Sequence, residues 1–226
     1  MPGSFPIQAL LFDLDGTLVD RQSGAKKWLA SQYAKFPAPR GDFAEFYAHF
    51  QQLDARGYAS KLETFGALAP SWGWNQAPDA IWAAYRRDVG HFCELFPDAA
   101  PTLRLFREKG LGLAILTNGT IECQQGKIEA LKLDEMVDAT LISEREGYKK
   151  PAPELFWRAC EKLGQKPGNC LMIGDSFQTD VEGAWNAGLT AVFLERDMAN
   201  DSTTDLPKIR SLWELAPFLA LNKALK

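Results

Sequence analysis

Five short runs of apolar residues alternate along the chain with longer stretches in which apolar residues recur at helical spacing. Most of the runs are continuously apolar, which is typical of strands that are covered on both faces of a parallel sheet. We expect these strands at residues 9–12, 111–116, 137–142, 170–173 and 190–194. Strands that alternate with helices through short joints predict an α/β fold with a doubly wound, Rossmann-like parallel sheet.

The helices expected between these strands mostly end at a glycine. They are predicted at residues 101–109, 121–131, 152–163 and 178–187. Gly110, Gly164 and Gly188 follow three of them, and glycine directly after the last periodic residue is a common stop signal. The polar run at residues 200–205 predicts a surface loop.

One segment interrupts the alternation of strands and helices. Residues 21–93, called the helical insertion below, contain no convincing strand and are rich in alanine, glutamine and aromatic residues. We predict a helical cap domain there, with residues 1–20 and 94–226 forming the α/β core. Its aromatic side chains are expected mainly to pack its interior. The segment Ser71-Trp72-Gly73-Trp74 is predicted to be a mobile loop that contacts substrate.

Composition narrows the class of protein. The 46% hydrophobic and 24% charged residues are those of an ordinary globular protein, and the net charge of -4 argues against nucleic acid or an anionic membrane as the main partner. No apolar stretch approaches the roughly 18 residues of a membrane span, and the first residues lack the basic start of a signal peptide. The four cysteines show no CxxC spacing, so we expect reduced thiols and a cytoplasmic protein.

Two carboxylates follow the first predicted strand, in the run Asp13-Leu14-Asp15-Gly16-Thr17. Side chains two residues apart on an extended chain point the same way. Placing two negative charges together at the end of a buried strand is unfavourable unless something offsets them, and a hard cation with oxygen ligands is the obvious candidate. Gly16 permits a sharp exit from the strand. A bare pair of aspartates could be a polar strand end, but this full run is much less easily explained that way.

Polar groups also follow the second predicted strand and precede the third helix. Thr117, Asn118 and Gly119 offer a hydroxyl and backbone amides that suit a phosphate group, although the same residues are common in ordinary turns. Lys149 and Lys150 stand immediately before a proline. A lysine at this point is placed to hold a phosphate or to screen Asp13, and a solvated surface lysine is the plainer alternative.

A further aspartate ends the fourth predicted strand. Asp175 follows that strand directly, and Asp180 comes five residues later, where it is also placed to cap the next helix. All four polar features thus follow strands or their connections. Ligands of open parallel sheets bind outside the carboxyl ends of the strands, so we expect these features to meet in one crevice.

The chain resembles the haloacid dehalogenase-like hydrolase superfamily, in the phosphatase branch with a helical cap inserted between the first and second motifs. The resemblance is carried by DLDGT at residues 13–17, LTNG at 116–119, KP at 150–151 and GDSFQTD at 174–180. It implies a Mg²⁺-dependent phosphatase that hydrolyses a small phosphate monoester, of the nucleotide, sugar phosphate or phosphoglycolate type, through an aspartyl-phosphate. A phosphomutase shares this core chemistry. A 2-haloacid dehalogenase typically lacks the second aspartate, and a non-enzymatic member should have lost a motif carboxylate.

The resemblance also implies residue roles. Asp13 would be the nucleophile and Asp15 the acid and base, which requires that Asp15 gain proton affinity from burial, a nearby carboxylate or the departing alkoxide. The implied catalytic residues are Asp13, Asp15, Thr117 and Lys150; the substrate-binding residues are Thr117, Asn118, Gly119 and Lys150; and the Mg²⁺ ligands are Asp13, the Asp15 carbonyl, Asp175 and Asp180. The expected partner is a small phosphate ester, with no nucleic acid and no membrane, for a monomer or homodimer.

Overall fold

The computed structural model describes residues 7–36, 40–57, 59–196, 207–217 and 219. Within them, one sheet has six parallel strands in the order β3-β2-β1-β4-β5-β6. The strands are β1 (Ala9–Phe12), β2 (Gly112–Thr117), β3 (Ala139–Ile142), β4 (Cys170–Gly174), β5 (Thr190–Leu194) and β6 (Lys208–Ile209). The doubly wound parallel sheet is confirmed. Strand β6 was not predicted, because two residues are too few to form a pattern.

Nine α-helices accompany the sheet in the described residues. They are α1 (Arg21–Tyr33), α2 (Phe43–Asp54), α3 (Lys61–Trp72), α4 (Pro78–Asp88), α5 (Ala99–Glu108), α6 (Ile121–Ala130), α7 (Ser143–Glu146), α8 (Pro153–Lys162) and α9 (Gly183–Asn186). Where one helix was predicted over 178–187, the chain instead forms a π-helix, Phe177–Glu182, followed by the short α9. The wider turn arises because the Val181 N–H reaches back five residues to the Ser176 carbonyl, 3.4 Å away.

Strand β1 is central and completely buried. Its side chains alternate, so that Leu10 and Phe12 enter the hydrophobic cluster on one face of the sheet while Ala9 and Leu11 enter the cluster on the other. Helices cover both faces, and this explains why the strand is apolar at every position instead of at every second one.

The helical insertion contains α1 to α4 and no strand among its described residues. Trp28 lies at its centre, with ring centroids 5.1 to 6.1 Å from those of Phe65, Trp74 and Tyr85. The prediction that residues 71–74 form a mobile contact loop is wrong: Trp72 ends α3, and both Trp72 and Trp74 are buried in this aromatic cluster. Burying two indole rings in the cluster lowers the free energy of the folded chain relative to leaving them exposed to water. The boundaries of a separate cap domain stay a prediction.

The two ends of the helical insertion lie side by side. Val19 and Leu95 form an antiparallel bridge, and the Asp20 N–H donates to the Glu94 carbonyl at 2.9 Å. The chain therefore leaves the sheet and returns to it at one place, next to the end of β1.

A partly buried ion pair joins this junction to the C-terminal part of the chain. Arg196 donates to both oxygens of Asp98, each at 2.9 Å, and to the Thr17 carbonyl at 2.8 Å. Asp98 also accepts from the Leu212 N–H and the Ser211 hydroxyl. Burial raises the pKa of Asp98, but these hydrogen bonds and the charge of Arg196 outweigh it, so the pKa is lowered.

The sequence also led to predictions about the cysteines, membrane spans and the polar loop at residues 200–205. All four cysteines are free and buried, as predicted. No helix in the described parts of the chain has the length and apolar character needed to cross a bilayer. The polar loop predicted at residues 200–205 lies outside the described residues.

Candidate active site

Three of the predicted aspartates meet at the carboxyl ends of β1 and β4. Oxygen atoms of Asp13, Asp175 and Asp180 lie within 4.8 Å of one another. Strands β1 and β4 are hydrogen-bonded neighbours, and the Asp13 N–H donates to the Ile173 carbonyl at 2.9 Å. The residues that follow the two strands therefore share one edge of the sheet, as the sequence predicts for this fold.

Two glycines make room for these carboxylates. A Cβ atom on Gly16, which has a φ of +90°, would lie 2.0 Å from Oδ2 of Asp175, and a Cβ on Gly174 would lie 2.2 Å from Oδ2 of Asp180. Both distances are far below any normal contact. The two positions thus need glycine because a carboxylate occupies the space of a side chain, and at Gly16 also because of the backbone conformation.

Lys150 lies between two of the carboxylates. Its Nζ is 2.5 Å from Oδ1 of Asp13 and 2.7 Å from Oδ1 of Asp180, and the side chain is buried, whereas Lys149 is exposed. The Asn118 side chain fixes the Lys150 backbone: its Oδ1 accepts from the Lys150 N–H at 2.8 Å, and its Nδ2 donates to the Lys150 carbonyl at 2.9 Å. Asn118 therefore positions the lysine, a contact that was not predicted.

The carboxylates outnumber the one ammonium group among them. Burial raises the pKa of Asp13 well above its usual value, and Asp180 and Asp175 add to this although Lys150 opposes it. Desolvation by the surrounding protein and the charge of Asp180 likewise raise the pKa of Asp175 to about 7, even though solvent reaches this side chain. A divalent cation would favour the ionised carboxylates, so the donor set fits a hard metal ion with oxygen ligands.

Asp180 also has a structural contact. Its Oδ2 accepts from the Ser176 N–H at 3.1 Å, at the start of the π-helix, while Oδ1 contacts Lys150. The N-cap of this helix is Ser176 and not Asp180, so the expectation that Asp180 caps the next helix is wrong; Asp180 lies within the helix and contacts the backbone of the cap residue instead.

The Asp15 carboxylate points towards α6. Lys127 Nζ is 2.8 Å from Oδ1 and 2.7 Å from Oδ2, and Gln124 Nε2 donates to Oδ2 at 3.0 Å. Burial raises the pKa of Asp15, but the charges of Lys127 and Arg21 and the hydrogen bonds from Lys127 and Gln124 outweigh it, so the pKa is lowered. The pKa of Asp15 is therefore shifted in the direction opposite to the one that its role as acid requires.

The phosphate-binding residues predicted after β2 have partners within the protein. Thr117 is buried, and its hydroxyl accepts from Gln124 Nε2. The Gly119 N–H donates to the Ser143 hydroxyl at 2.9 Å. In this structure the Gly119 amide is therefore engaged by the start of α7.

Gln124 and Lys127 were not predicted as site residues. Both lie on α6, which buries Cys123, Gln124, Lys127 and Ile128. These positions share one helical face, so a glutamine and a lysine stand where apolar residues are expected. Long polar side chains on the buried face of a helix are rarely buried without a partner, and that is the signal that could have identified them.

Comparisons with known proteins agree with this geometry. A family model described as a haloacid dehalogenase-like hydrolase matches residues 7–188. A ribulose-1,5-bisphosphate 5-phosphatase of Halopiger xanaduensis is 32% identical over 213 residues, covering 86% of this chain and 87% of that protein. The N-acylneuraminate-9-phosphatase of Homo sapiens is 42% identical over 204 residues, covering 82% and 81%. Among solved structures, the HAD-hydrolase YfnB of Bacillus subtilis, bound to magnesium, has a TM-score of 0.78 at 26% identity, covering 95% of this chain and 99% of that one.

Proposed function

Because the chain belongs to the haloacid dehalogenase-like hydrolase family, we propose that it is a Mg²⁺-dependent phosphatase that uses Asp13 to hydrolyse small phosphate monoesters. The observation that carries the proposal is the meeting of Asp13, Lys150 and Asp175 at the carboxyl edge of the sheet. The phosphatase names of the relatives support the reaction, and the magnesium in YfnB supports the choice of metal.

The reaction has two steps in this proposal. In the first, an Asp13 oxygen bonds to phosphorus while the bond from phosphorus to the leaving oxygen breaks, and Asp15 gives its proton to that oxygen. In the second, a water oxygen bonds to phosphorus, Asp15 takes a proton from this water, and the bond to Asp13 breaks to release phosphate. The second step returns Asp13 to a free carboxylate and Asp15 to its protonated form, so the enzyme is ready for the next substrate.

The other residues bind charge and hold geometry. Lys150, already 2.5 Å from Asp13, neutralises Asp13 and a phosphoryl oxygen. The Thr117 hydroxyl and the Asn118 amide bind the remaining phosphoryl oxygens, since the Gly119 amide donates to Ser143. When bound, Mg²⁺ would be held by Asp13, Asp175 and the Asp15 carbonyl, with Asp180 assisting, and it supplies positive charge beside the transferred group. Phosphoryl transfer depends mostly on positioning the reacting groups and on stabilising the charge that develops. These residues contribute to both.

The helical insertion is proposed to act as a cap that contacts the leaving group. Its tryptophans are mostly occupied in packing, so charged residues are better candidates for choosing the substrate. Asp54 lies 3.2 Å from Arg21 and 2.5 Å from Lys61, so two cationic side chains of the insertion share one of its carboxylates. This favours phosphate esters with a second anionic group, and the relative named for N-acylneuraminate 9-phosphate supports such a class. The free cysteines favour the cytoplasm as its location.

Phosphate release by the purified protein tests the proposal. The substrates are N-acylneuraminate 9-phosphate, ribulose 1,5-bisphosphate, phosphoglycolate, nucleoside monophosphates and p-nitrophenyl phosphate. We expect Mg²⁺-dependent release that stops with EDTA. In the Asp13→Asn variant, kcat should fall by about 10⁴-fold or more, as it does when hydrolases lose a nucleophile.

Two further measurements separate the alternatives. Oxygen from ¹⁸O-labelled water should appear in the released phosphate, whereas a phosphomutase would transfer the group without incorporating it. Halide release from 2-haloacids should be absent. Full phosphatase activity in Asp13→Asn would exclude this nucleophile, and inactivity of the wild type on every ester would reject the proposed function.

A further inference from the structure

The contacts of Asp15 with Gln124 and Lys127 have no role in the two steps above. We propose that Gln124 and Lys127 are positioning residues that hold the Asp15 carboxyl group in place for proton transfer and connect it to the phosphate-binding residue Thr117. This inference rests on the proposed function, because it assigns these residues to the proton transfers of that reaction. It adds two residues from α6 to a site otherwise built from segments that follow the strands.

Lys127 acts through Asp15 because its hydrogen-bond donors are already used. A lysine ammonium group has three N–H donors. In this structure its Nζ has three acceptors, Asp15 Oδ1 at 2.8 Å, Asp15 Oδ2 at 2.7 Å and Gln124 Oε1 at 2.8 Å. No donor is left for a substrate oxygen while these contacts hold. The side chain is also only 2% exposed, so it is a support for the carboxylate and not a substrate-binding group.

Gln124 links Asp15, the proposed acid and base, to Thr117, the proposed phosphate-binding residue. Its Nε2 has two N–H donors and three acceptors in reach: Asp15 Oδ2 at 3.0 Å, the Thr117 hydroxyl and, at the longest distance of 3.3 Å, the Asn118 carbonyl. Its Oε1 accepts from Lys127. A side-chain amide offers two N–H donors and an oxygen acceptor on one short group. A leucine of similar size would fill the space and remove every one of these contacts.

Helix α6, which carries Gln124 and Lys127, is packed closely against the rest of the protein, so both side chains start from a well-defined position. The return segment Val89–Phe92 packs against it so closely that a Cβ atom on Gly90 would lie 2.6 Å from the Gly126 carbonyl oxygen. The Thr120 hydroxyl caps the first turn by accepting from the Cys123 N–H at 3.4 Å. A carboxylate supported from such a helix loses little freedom when substrate binds, and this is the advantage of a preorganised group.

The choice of leaving group distinguishes positioning of Asp15 from a general structural role. An alkyl alcohol leaves poorly unless its oxygen receives a proton, whereas p-nitrophenolate is stable as an anion and needs little help. General acid–base catalysis contributes about 10² to 10⁴-fold to the rate. If Lys127 and Gln124 act through Asp15, their loss should slow alkyl esters much more than the aryl ester.

The experiment compares Lys127→Met, Gln124→Leu and wild type on an alkyl phosphate and on p-nitrophenyl phosphate. We expect kcat/KM of Lys127→Met, which reports the first step, to fall by about 10²-fold on the alkyl ester and by less than about tenfold on the aryl ester. The second step, which Asp15 also assists, is common to both esters, so the comparison is made in kcat/KM and not in kcat. In an Asp15→Asn background, either substitution should cause little further loss, since the residue through which it acts is already gone.

Exposed residues of the same types provide matched controls. Gln125→Leu changes the neighbouring, partly exposed glutamine of α6, and Lys149→Met removes an exposed lysine; both should keep wild-type rates on both esters. If Lys127→Met fails to fold, Gln124→Leu carries the same comparison, because it leaves no buried charge without a partner.

Two outcomes contradict the inference in different ways. Equal losses on the two esters by a folded variant, or a full additional loss in the Asp15→Asn background, would overturn the positioning role while the wild-type phosphatase activity still supports the proposed function. Inactivity of the wild type on both esters would overturn the proposed function, and this inference with it.

Discussion

The charged cluster at the carboxyl edge of the sheet and the aromatic cluster of the helical insertion are both buried, but they are held together by different forces. At the edge, Asp13, Asp180 and Lys150 meet through directional contacts of 2.5 and 2.7 Å. In the insertion, rings pack around Trp28 at centroid distances of 5.1 to 6.1 Å. A charged contact tolerates few residue types, whereas many apolar combinations fill the same volume. The two regions should therefore respond to substitution in opposite ways.

The largest expected effect on stability is in the insertion. Trp28→Ala should lower the free energy of unfolding by about 3 to 5 kcal/mol, because it removes a completely buried aromatic side chain. At a temperature where the variant stays folded, hydrolysis of p-nitrophenyl phosphate should be largely retained. Urea unfolding and initial rates measure the two effects. Trp213→Ala, at a tryptophan that is 57% exposed, should change stability by less than about 0.5 kcal/mol. Loss of activity without loss of stability in Trp28→Ala would contradict the comparison.

The opposite response is expected at the edge of the sheet. Asp175→Asn should raise the Mg²⁺ concentration needed for half-maximal activity by about tenfold or more, since loss of even an outer-shell group weakens metal sites 10 to 100-fold. Its thermal stability without metal should not fall, because a carboxylate whose pKa is raised to about 7 by burial and by Asp180 is unfavourable when charged. Titration of activity with Mg²⁺ and thermal unfolding in EDTA measure these quantities. Asp134→Asn, at an exposed aspartate, is the matched control, and an unchanged Mg²⁺ requirement in Asp175→Asn would remove it from the metal site.

A third effect is expected at the ion pair between Asp98 and Arg196, which joins the base of the insertion to the C-terminal part of the chain. Asp98→Asn should reduce stability by about 1.5 to 3 kcal/mol at neutral pH, the range for hydrogen bonds to charged groups. Because the pKa of Asp98 is lowered on folding, its contribution is complete above the unfolded value of about 3.9 and disappears as the pH falls through the folded value. The difference between wild type and variant, from urea unfolding at several pH values, should therefore shrink in acid. A difference that does not depend on pH would show that the Asp98 charge contributes nothing.

The sequence predicted best those features that few residue types can provide. The first five strands were identified because strands buried on both faces leave no polar position, as the four completely buried residues of β1 illustrate. Asp13 and Asp175 were predicted as site residues because each follows a buried strand, where a carboxylate is unfavourable unless a cation or another partner offsets its charge. Their approach to one another could be predicted from the parallel order of the strands.

Other features depend on contacts that are distant in sequence. Lys127 and Asp15 are 112 residues apart, and nothing local indicates that they meet. The π-helix begins with a backbone hydrogen bond from Val181 to Ser176, five residues earlier, and β6 forms only by pairing with β5. Residues 71–74 look like a loop because of Gly73, yet both tryptophans are recruited into the aromatic cluster. In each case, tertiary contacts outweigh the local pattern.

The bridge between Val19 and Leu95 has a consequence for redesign of the molecule. Opposite residues of an antiparallel pair are about 4.5 to 5.5 Å apart, so the 75 residues between them close a loop whose ends already touch. The entropy of closing such a loop grows only slowly with its length. A foreign helical module with equally close termini would therefore satisfy the same attachment, and grafting one there would replace the proposed cap while leaving Asp13, Lys150 and Asp175 in the chain.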